Sequence, residues 1–307
     1  MPPLRGIMYK VFAVCLFMGM ASFIKAASVE VPPGQAVFFR SFFALPIILG
    51  WLAMRGELRT GWKTPNPVGH FWRGLVGTSA MGLGFTGLGL LPLPEVTAIG
   101  YAAPLLVVVF ASMFLNEQVG VYRLSAVLLG MIGVLIVLSP RLSIGAGLST
   151  GETLGAVVVL MGAVFAALAQ VFVRKLVQTE GTAAIVFWFS ITSAALSLLT
   201  LPWGWAMPTA GVFVMLIMAG LLGGLGQIFL TSSYRYADAS LVAPFDYTSM
   251  ILALIIGYFV FDEVPTGTML LGASIVISAG VLIIWRERTL GLQRAQQRKA
   301  MGHVGGK

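Results

Sequence analysis

Four charged residues stand inside or at the rim of long apolar runs in this 307-residue chain: Lys25, Arg40, Glu95 and Asp246. A charge at the centre of a bilayer-spanning helix costs ~2.5–3.5 kcal/mol on insertion scales, so each must be offset by a partner or a purpose. Arg40 offers a rigid fork of N–H donors that fits a carboxylate or a phosphate. Asp246 can meet a cationic group, or take up and release a proton. The two can also neutralise one another and hold one state closed. At about 1.5 Å per residue they differ in depth by roughly 10 Å, most of which an arginine side chain spans. For Lys25 and Glu95 the plainer reading is snorkelling to the outer interface.

Neutral residues add recognition chemistry. Tyr101 and Tyr247 fall about two turns into their segments. There a ring can stack on a planar ligand while its hydroxyl bonds it, or pack with the hydroxyl on a nearby carbonyl. Gln170 and Gln227 lie inside apolar segments, where a bond between helices worth ~0.6–2 kcal/mol competes with ligand contact. Trp188 and Phe189 either line an aromatic cavity or face lipid. Pro104 and Pro244 each remove a backbone donor and bend a helix. Gly220 and Gly224 have the spacing that lets two helix backbones approach closely.

These residues are carried by ten hydrophobic blocks, at about 7–28, 33–54, 69–90, 95–115, 121–139, 154–176, 182–202, 211–234, 239–261 and 266–285. A run of ~20 apolar residues crosses the ~30 Å hydrocarbon layer as a helix. Hydrophobic residues make up 58% of the chain and charged ones 10%, against ~25% charged in a soluble domain. Backbone groups in hydrocarbon must be satisfied within each segment, so the runs are helices. The short alternating strands of a membrane barrel are missing.

The net charge of +8 is arranged for a membrane, not for nucleic acid. With the N-terminus in the cytoplasm, Arg5, Lys10, Arg55, Arg59, Lys63, Arg73, Arg123, Arg174, Lys175 and Arg235 fall on the inner side together with the basic tail. Only Lys25 and Arg141 fall near the outer face, so both termini are expected in the cytoplasm of an inner-membrane protein. Cys15 is the only cysteine, and His70 and His303 the only histidines. That excludes an intrachain disulfide and argues against a zinc site. No cofactor is expected. Neither a P-loop nor a cluster of catalytic side chains stands out, so the chain reads as a non-enzyme.

The second five blocks repeat the first five. Residues 74–117 lie over 220–263 without a gap, placing Gly77 on Gly223, Tyr101 on Tyr247 and Glu117 on Glu263; "VFFRS" at 37–41 falls on "VFWFS" at 186–190. Five crossings per unit send the second unit in from the opposite side. The expected fold is therefore an all-α membrane protein of ten transmembrane helices in two inverted repeats, 7–140 and 153–286. A basic tail, 287–307, follows at the surface of anionic lipid. Such pairs suit alternating access, with the substrate near the midplane.

The doubled unit, with "EVTAIGYAAPLLVVVFASMFLNE" at 95–117 and "ASLVAPFDYTSMILALIIGYFVFDE" at 239–263, resembles the ten-helix EamA branch of the drug/metabolite transporter superfamily. "FFRSFFALPI", "LPLPEVTAIGYAAPL" and "APFDYTSM" look like its riboflavin or S-adenosylmethionine uptake carriers. The resemblance implies a small-molecule substrate, riboflavin first and S-adenosylmethionine second. Export of amino acids or drug-like amphiphiles, and lipid handling without transport, are the other readings.

Overall fold

Proline sets where the long apolar segments start and break. The computed structural model describes residues 2–115, 121–142, 150–236, 243–282 and 285; Glu117, Asp238 and the tail from 286 onward lie outside them. The first helix is α1, Pro2–Ala27. The second segment is α2, Pro33–Phe42, and α3, Ala44–Met54, parted at Phe43. Pro46 cannot donate to the Phe42 carbonyl and its ring crowds it, which accounts for the break. After α4, Pro67–Leu90, the fourth segment is parted in the same way at Tyr101, giving α5, Leu93–Gly100, and α6, Ala102–Leu115. There Pro104 leaves the Gly100 carbonyl without its donor.

The chain continues through α7, Val121–Leu142; α8, Thr150–Leu176; α9, Thr182–Leu198; and α10, Ala210–Tyr236. A 3₁₀ turn, Ala243–Tyr247, leads into α11, Thr248–Phe261, and α12 is Gly267–Leu282. Pro33 and Pro67 open their helices, where a missing N–H costs nothing, and Asn66 caps α4 by accepting the Gly69 N–H at 2.9 Å.

The protein is a membrane protein of helices. Among the described residues, Leu4–Ala27, Pro33–Met54, Leu93–Phe114, Leu124–Arg141, Gly151–Leu176 and Ala210–Tyr236 are long and apolar enough to cross a bilayer. α9, α11 and α12 are shorter apolar helices. α4 has 24 residues, but its glycines, His70 and Arg73 dilute its apolarity.

Small residues fix the crossings. α1 lies along α10 and α4 along α8, while α2 crosses α10 and α9 crosses α4. A methyl group on Gly220 of α10 would stand 2.4 Å from Phe43 Cβ, and one on Gly74 of α4 would stand 2.4 Å from Thr192 Cγ2. One turn along, Gly223 faces Arg40 and Gly77 faces Phe189. At the offsets of the internal resemblance these are matching contacts, with the glycine on the third or eighth segment and its neighbour on the second or seventh. α7 and α12 meet backbone to backbone. Methyl groups on Gly133 and Gly272 would lie 2.8 and 2.6 Å from each other's carbonyl oxygens.

Candidate functional site

The first segment is tied to the ninth by an ion pair at each end. In the N-terminal part of α1, Lys10 Nζ lies 2.7 Å from Asp246 Oδ1 in the 3₁₀ turn, and Lys10 is only 2% exposed. About 22 Å farther along α1, Lys25 Nζ lies 2.8 Å from Glu263 Oε1, just beyond α11. Lys25 also donates to the carbonyls of Leu91 at 2.8 Å and Leu88 at 3.2 Å. Glu263 Oε2 in turn accepts the Leu93 N–H at 2.8 Å, a carboxylate at the positive end of α5. The structure thus gives Asp246 to Lys10 and not to Arg40, and ties Lys25 into a network in place of snorkelling. Removing one member of the Lys25–Glu263 pair leaves the other charge partly buried. Glu263→Gln and Lys25→Met should each cost about 1–3 kcal/mol, and thermal unfolding of both singles and the double should give a coupling of at least ~1 kcal/mol.

Further polar contacts join neighbouring segments. Arg141 holds Glu95 through two bonds, at 3.0 and 2.9 Å, and reaches Glu152 at 2.7 Å. Glu95 is therefore buried in an ion-pair cluster joining α5, α7 and the start of α8. Glu30 accepts from Thr209 N and Oγ1, and Gln35 exchanges two bonds with Ala206 at 2.7 and 3.0 Å.

Deeper in the bundle two arginines share one aromatic ring. Arg40 of α2 and Arg73 of α4 are 2% and 5% exposed. Their guanidinium carbons lie 5.4 and 3.9 Å from the centre of the Phe189 ring of α9. Arg40 Nη2 donates to the Gly223 carbonyl at 3.2 Å, while Nε and Nη1 of both arginines have no partner. Two glycines make the space: a methyl on Gly77 would stand 2.1 Å from Arg73 Nη1, and one on Gly223 2.8 Å from Arg40 Nε. Among the described residues neither arginine has an ion-pair partner. A ring face returns about 2 kcal/mol or more to a desolvated cation, but it offers no acceptor to the remaining N–H donors, which stay without a hydrogen-bond partner.

Sequence reasoning placed Arg73 only among the inner-side cations. The signal that finds it is Gly77, one turn later on α4 and aligned with the glycine that makes room for Arg40. Beside this cluster, His70 Nε2 stands 3.7 Å from Glu180 Oε1, both side chains almost fully buried. Glu180 accepts from Thr64 Oγ1 at 2.6 Å, and its carbonyl accepts from Arg235.

The tyrosines are spent on each other. Their rings meet edge to face at 5.1 Å, and the Tyr101 hydroxyl lies 2.8 Å from Ser249 Oγ. Tyr247 packs on Gly280 of α12, where even a methyl group would overlap its ring. The joint sits where α5 gives way to α6 and where the 3₁₀ turn enters α11. Trp188 donates from Nε1 to the Trp62 carbonyl at 2.8 Å, fixing the connection between α3 and α4. Gln227 is buried on α10 one turn past Gly223, and Gln170 is half-buried on α8. A cavity of about 860 Å³ opens at the C-terminal end of α10, lined by Tyr9, Trp51, Arg55, Leu225, Arg235 and Tyr236 among others.

Apolar helices with ion pairs at both rims and buried charge between them define a multi-pass membrane protein. The chain belongs to the EamA-like transporter family, whose pattern it matches over residues 4–139 and 153–285. It is a transporter of that type. Among its relatives are an S-adenosylmethionine uptake transporter of Rickettsia felis, 28% identical over 83% of each chain, and a riboflavin transporter of Rhizobium johnstonii, 29% identical over 83% of this chain and 82% of that one. A pseudopaline exporter of Pseudomonas aeruginosa is 29% identical over 91% of this chain and 95% of its own. A solved crystal structure shares the fold, with a TM-score of 0.68, 21% identity, and coverage of 93% of this chain and 98% of the other.

Proposed function

We propose that the chain is a secondary transporter that takes up a small organic metabolite across the bacterial-type inner membrane by alternating access. In this reading ten segments cross the membrane as two inverted five-helix units, residues 7–140 and 153–286, with both termini in the cytoplasm and the tail, 287–307, at the lipid surface. The observation that carries it is the double tie between the first and ninth segments, which belong to different units. Opening outward breaks Lys25–Glu263 and keeps Lys10–Asp246; opening inward does the reverse. The matching contacts of Gly74 and Gly77 with those of Gly220 and Gly223 support two units related by a half-turn. The 860 Å³ cavity then serves as the inner vestibule, with the Tyr101–Tyr247 joint between the units. Riboflavin and S-adenosylmethionine are the substrates to test, and Asp246, held by Lys10, is the proton-carrier candidate.

The test is uptake of radiolabelled riboflavin and S-adenosylmethionine into vesicles containing the purified protein. Accumulation or exchange of one compound above protein-free vesicles is the expected outcome. If neither moves, both substrates fall. If labels near positions 1 and 307 react from opposite sides of the membrane, the inverted-unit reading falls with them.

A further inference from the structure

We propose that Arg40 and Arg73, gathered around Phe189, form an oxyanion site that takes the carboxylate of the transported metabolite. The assignment deepens the carrier reading and rests on it for the word "transported"; the site itself rests on geometry. Each arginine is more than nine-tenths buried, and each keeps Nε and Nη1 without a partner. A guanidinium presents its donors in a planar fork that matches a carboxylate two bonds at a time. Two such forks around one ring, with no described carboxylate paired to either, leave buried donors that an anion entering as the helices part would satisfy.

The surrounding residues position the pair. Gly77 and Gly223 give the two guanidinium groups room to lie against α4 and α10, because any side chain there would strike them. Glu180 is turned to Thr64 and His70. Both arginines come from α2 and α4, whereas Phe189 and the Gly223 carbonyl come from α9 and α10. An anion bound there sits at the joint of the two proposed units. The equivalent of Arg40 in the other unit is Phe189 itself, so the positive charge is confined to one side of that joint.

A carboxylate fits better than a phosphate. A planar monoanion loses less hydration on burial than a dianion, and the forks are flat. The substrate class is therefore a carboxylate-bearing, amino-acid-derived metabolite such as S-adenosylmethionine. Riboflavin, which carries no carboxylate, fits the site poorly.

The experiment is thermal unfolding of the purified full-length protein in detergent, titrated with sodium acetate, sodium phosphate or sodium chloride at matched ionic strength. Acetate should raise the midpoint by about 3 °C or more relative to chloride, and Arg40→Gln or Arg73→Gln should each remove that rise. Arg40→Lys and Arg73→Lys, which keep the charge and lose the fork, should retain part of it and cover the case in which a glutamine variant fails to fold. Acetate acting no better than chloride, or a full rise surviving in both glutamine variants, would overturn the proposal. Phosphate acting more strongly than acetate would overturn the carboxylate assignment in favour of a phosphate-bearing ligand. Vesicles that transport nothing sink the carrier reading and leave this result standing. Uptake that persists beside a flat acetate titration sinks the site and leaves the carrier.

Discussion

Lys10→Met is expected to abolish uptake and to lower the stability of the protein by about 1–3 kcal/mol, because it leaves the partly exposed Asp246 carboxylate with no counter-ion. The pair is short, at 2.7 Å, and its lysine is almost wholly enclosed. Asp246→Asn should cost more, about 3–5 kcal/mol, since it leaves the enclosed Lys10 ammonium without a counter-ion, and it should be equally damaging to transport. The informative variant is the exchange Lys10→Asp with Asp246→Lys. If the pair acts as an inner latch, the exchanged pair restores a measurable fraction of uptake while each single remains inactive. If the carboxylate must carry a proton, the exchange restores stability without restoring uptake. Uptake into vesicles, read beside thermal unfolding, separates the two. A Lys10→Met protein with normal transport would remove this pair from the mechanism.

The second large effect is expected at the crossing of α7 and α12. Gly133→Ala places a methyl 2.8 Å from the Gly272 carbonyl oxygen and 3.0 Å from the Val276 nitrogen; Gly272→Ala places one 2.6 Å from the Gly133 carbonyl oxygen and 2.9 Å from the Val137 nitrogen. These neighbours are backbone atoms and cannot rotate away, so the helices must separate. Overpacking of this kind costs about 1–3 kcal/mol per site, and because the two changes act on one contact their costs should fall short of adding. Gly82→Ala is the matched control, since a methyl there meets no atom within 4 Å. Thermal unfolding of the four proteins tests the argument, and a Gly133→Ala protein as stable as Gly82→Ala would refute the close crossing.

Much of the fold was legible in the sequence because the bilayer imposes one-dimensional rules. Length and apolarity mark a segment that can cross, and Pro104 marks where one of them breaks. The alignment of Gly77 with Gly223 and Tyr101 with Tyr247 marks repetition. Each of these can be read along the chain without knowing what lies beside it. The family followed from the same features. So did the interest of Arg40 and Asp246, since a charge in an apolar run is conspicuous wherever the helix points.

Partnership was not legible. Depth arithmetic gives a residue one coordinate along its helix and leaves open its direction around that helix and the identity of the neighbouring helix. Arg40 and Asp246 looked reachable by depth, yet α2 lies against α10 and α9, whereas the turn holding Asp246 lies against α1. Asp246 therefore meets Lys10, a residue that seemed no more than an inner-side cation, and Arg40 meets Arg73 across Phe189. Tyr101 and Tyr247, which each looked free to hold a ligand, instead meet each other. By itself the sequence determined that these helices lie in a membrane, where they bend, and that their pattern occurs twice, because those follow from composition, proline chemistry and spacing. The tertiary structure alone decided which charges are paired and which are left waiting, because that depends on how helices distant in sequence turn their faces to one another.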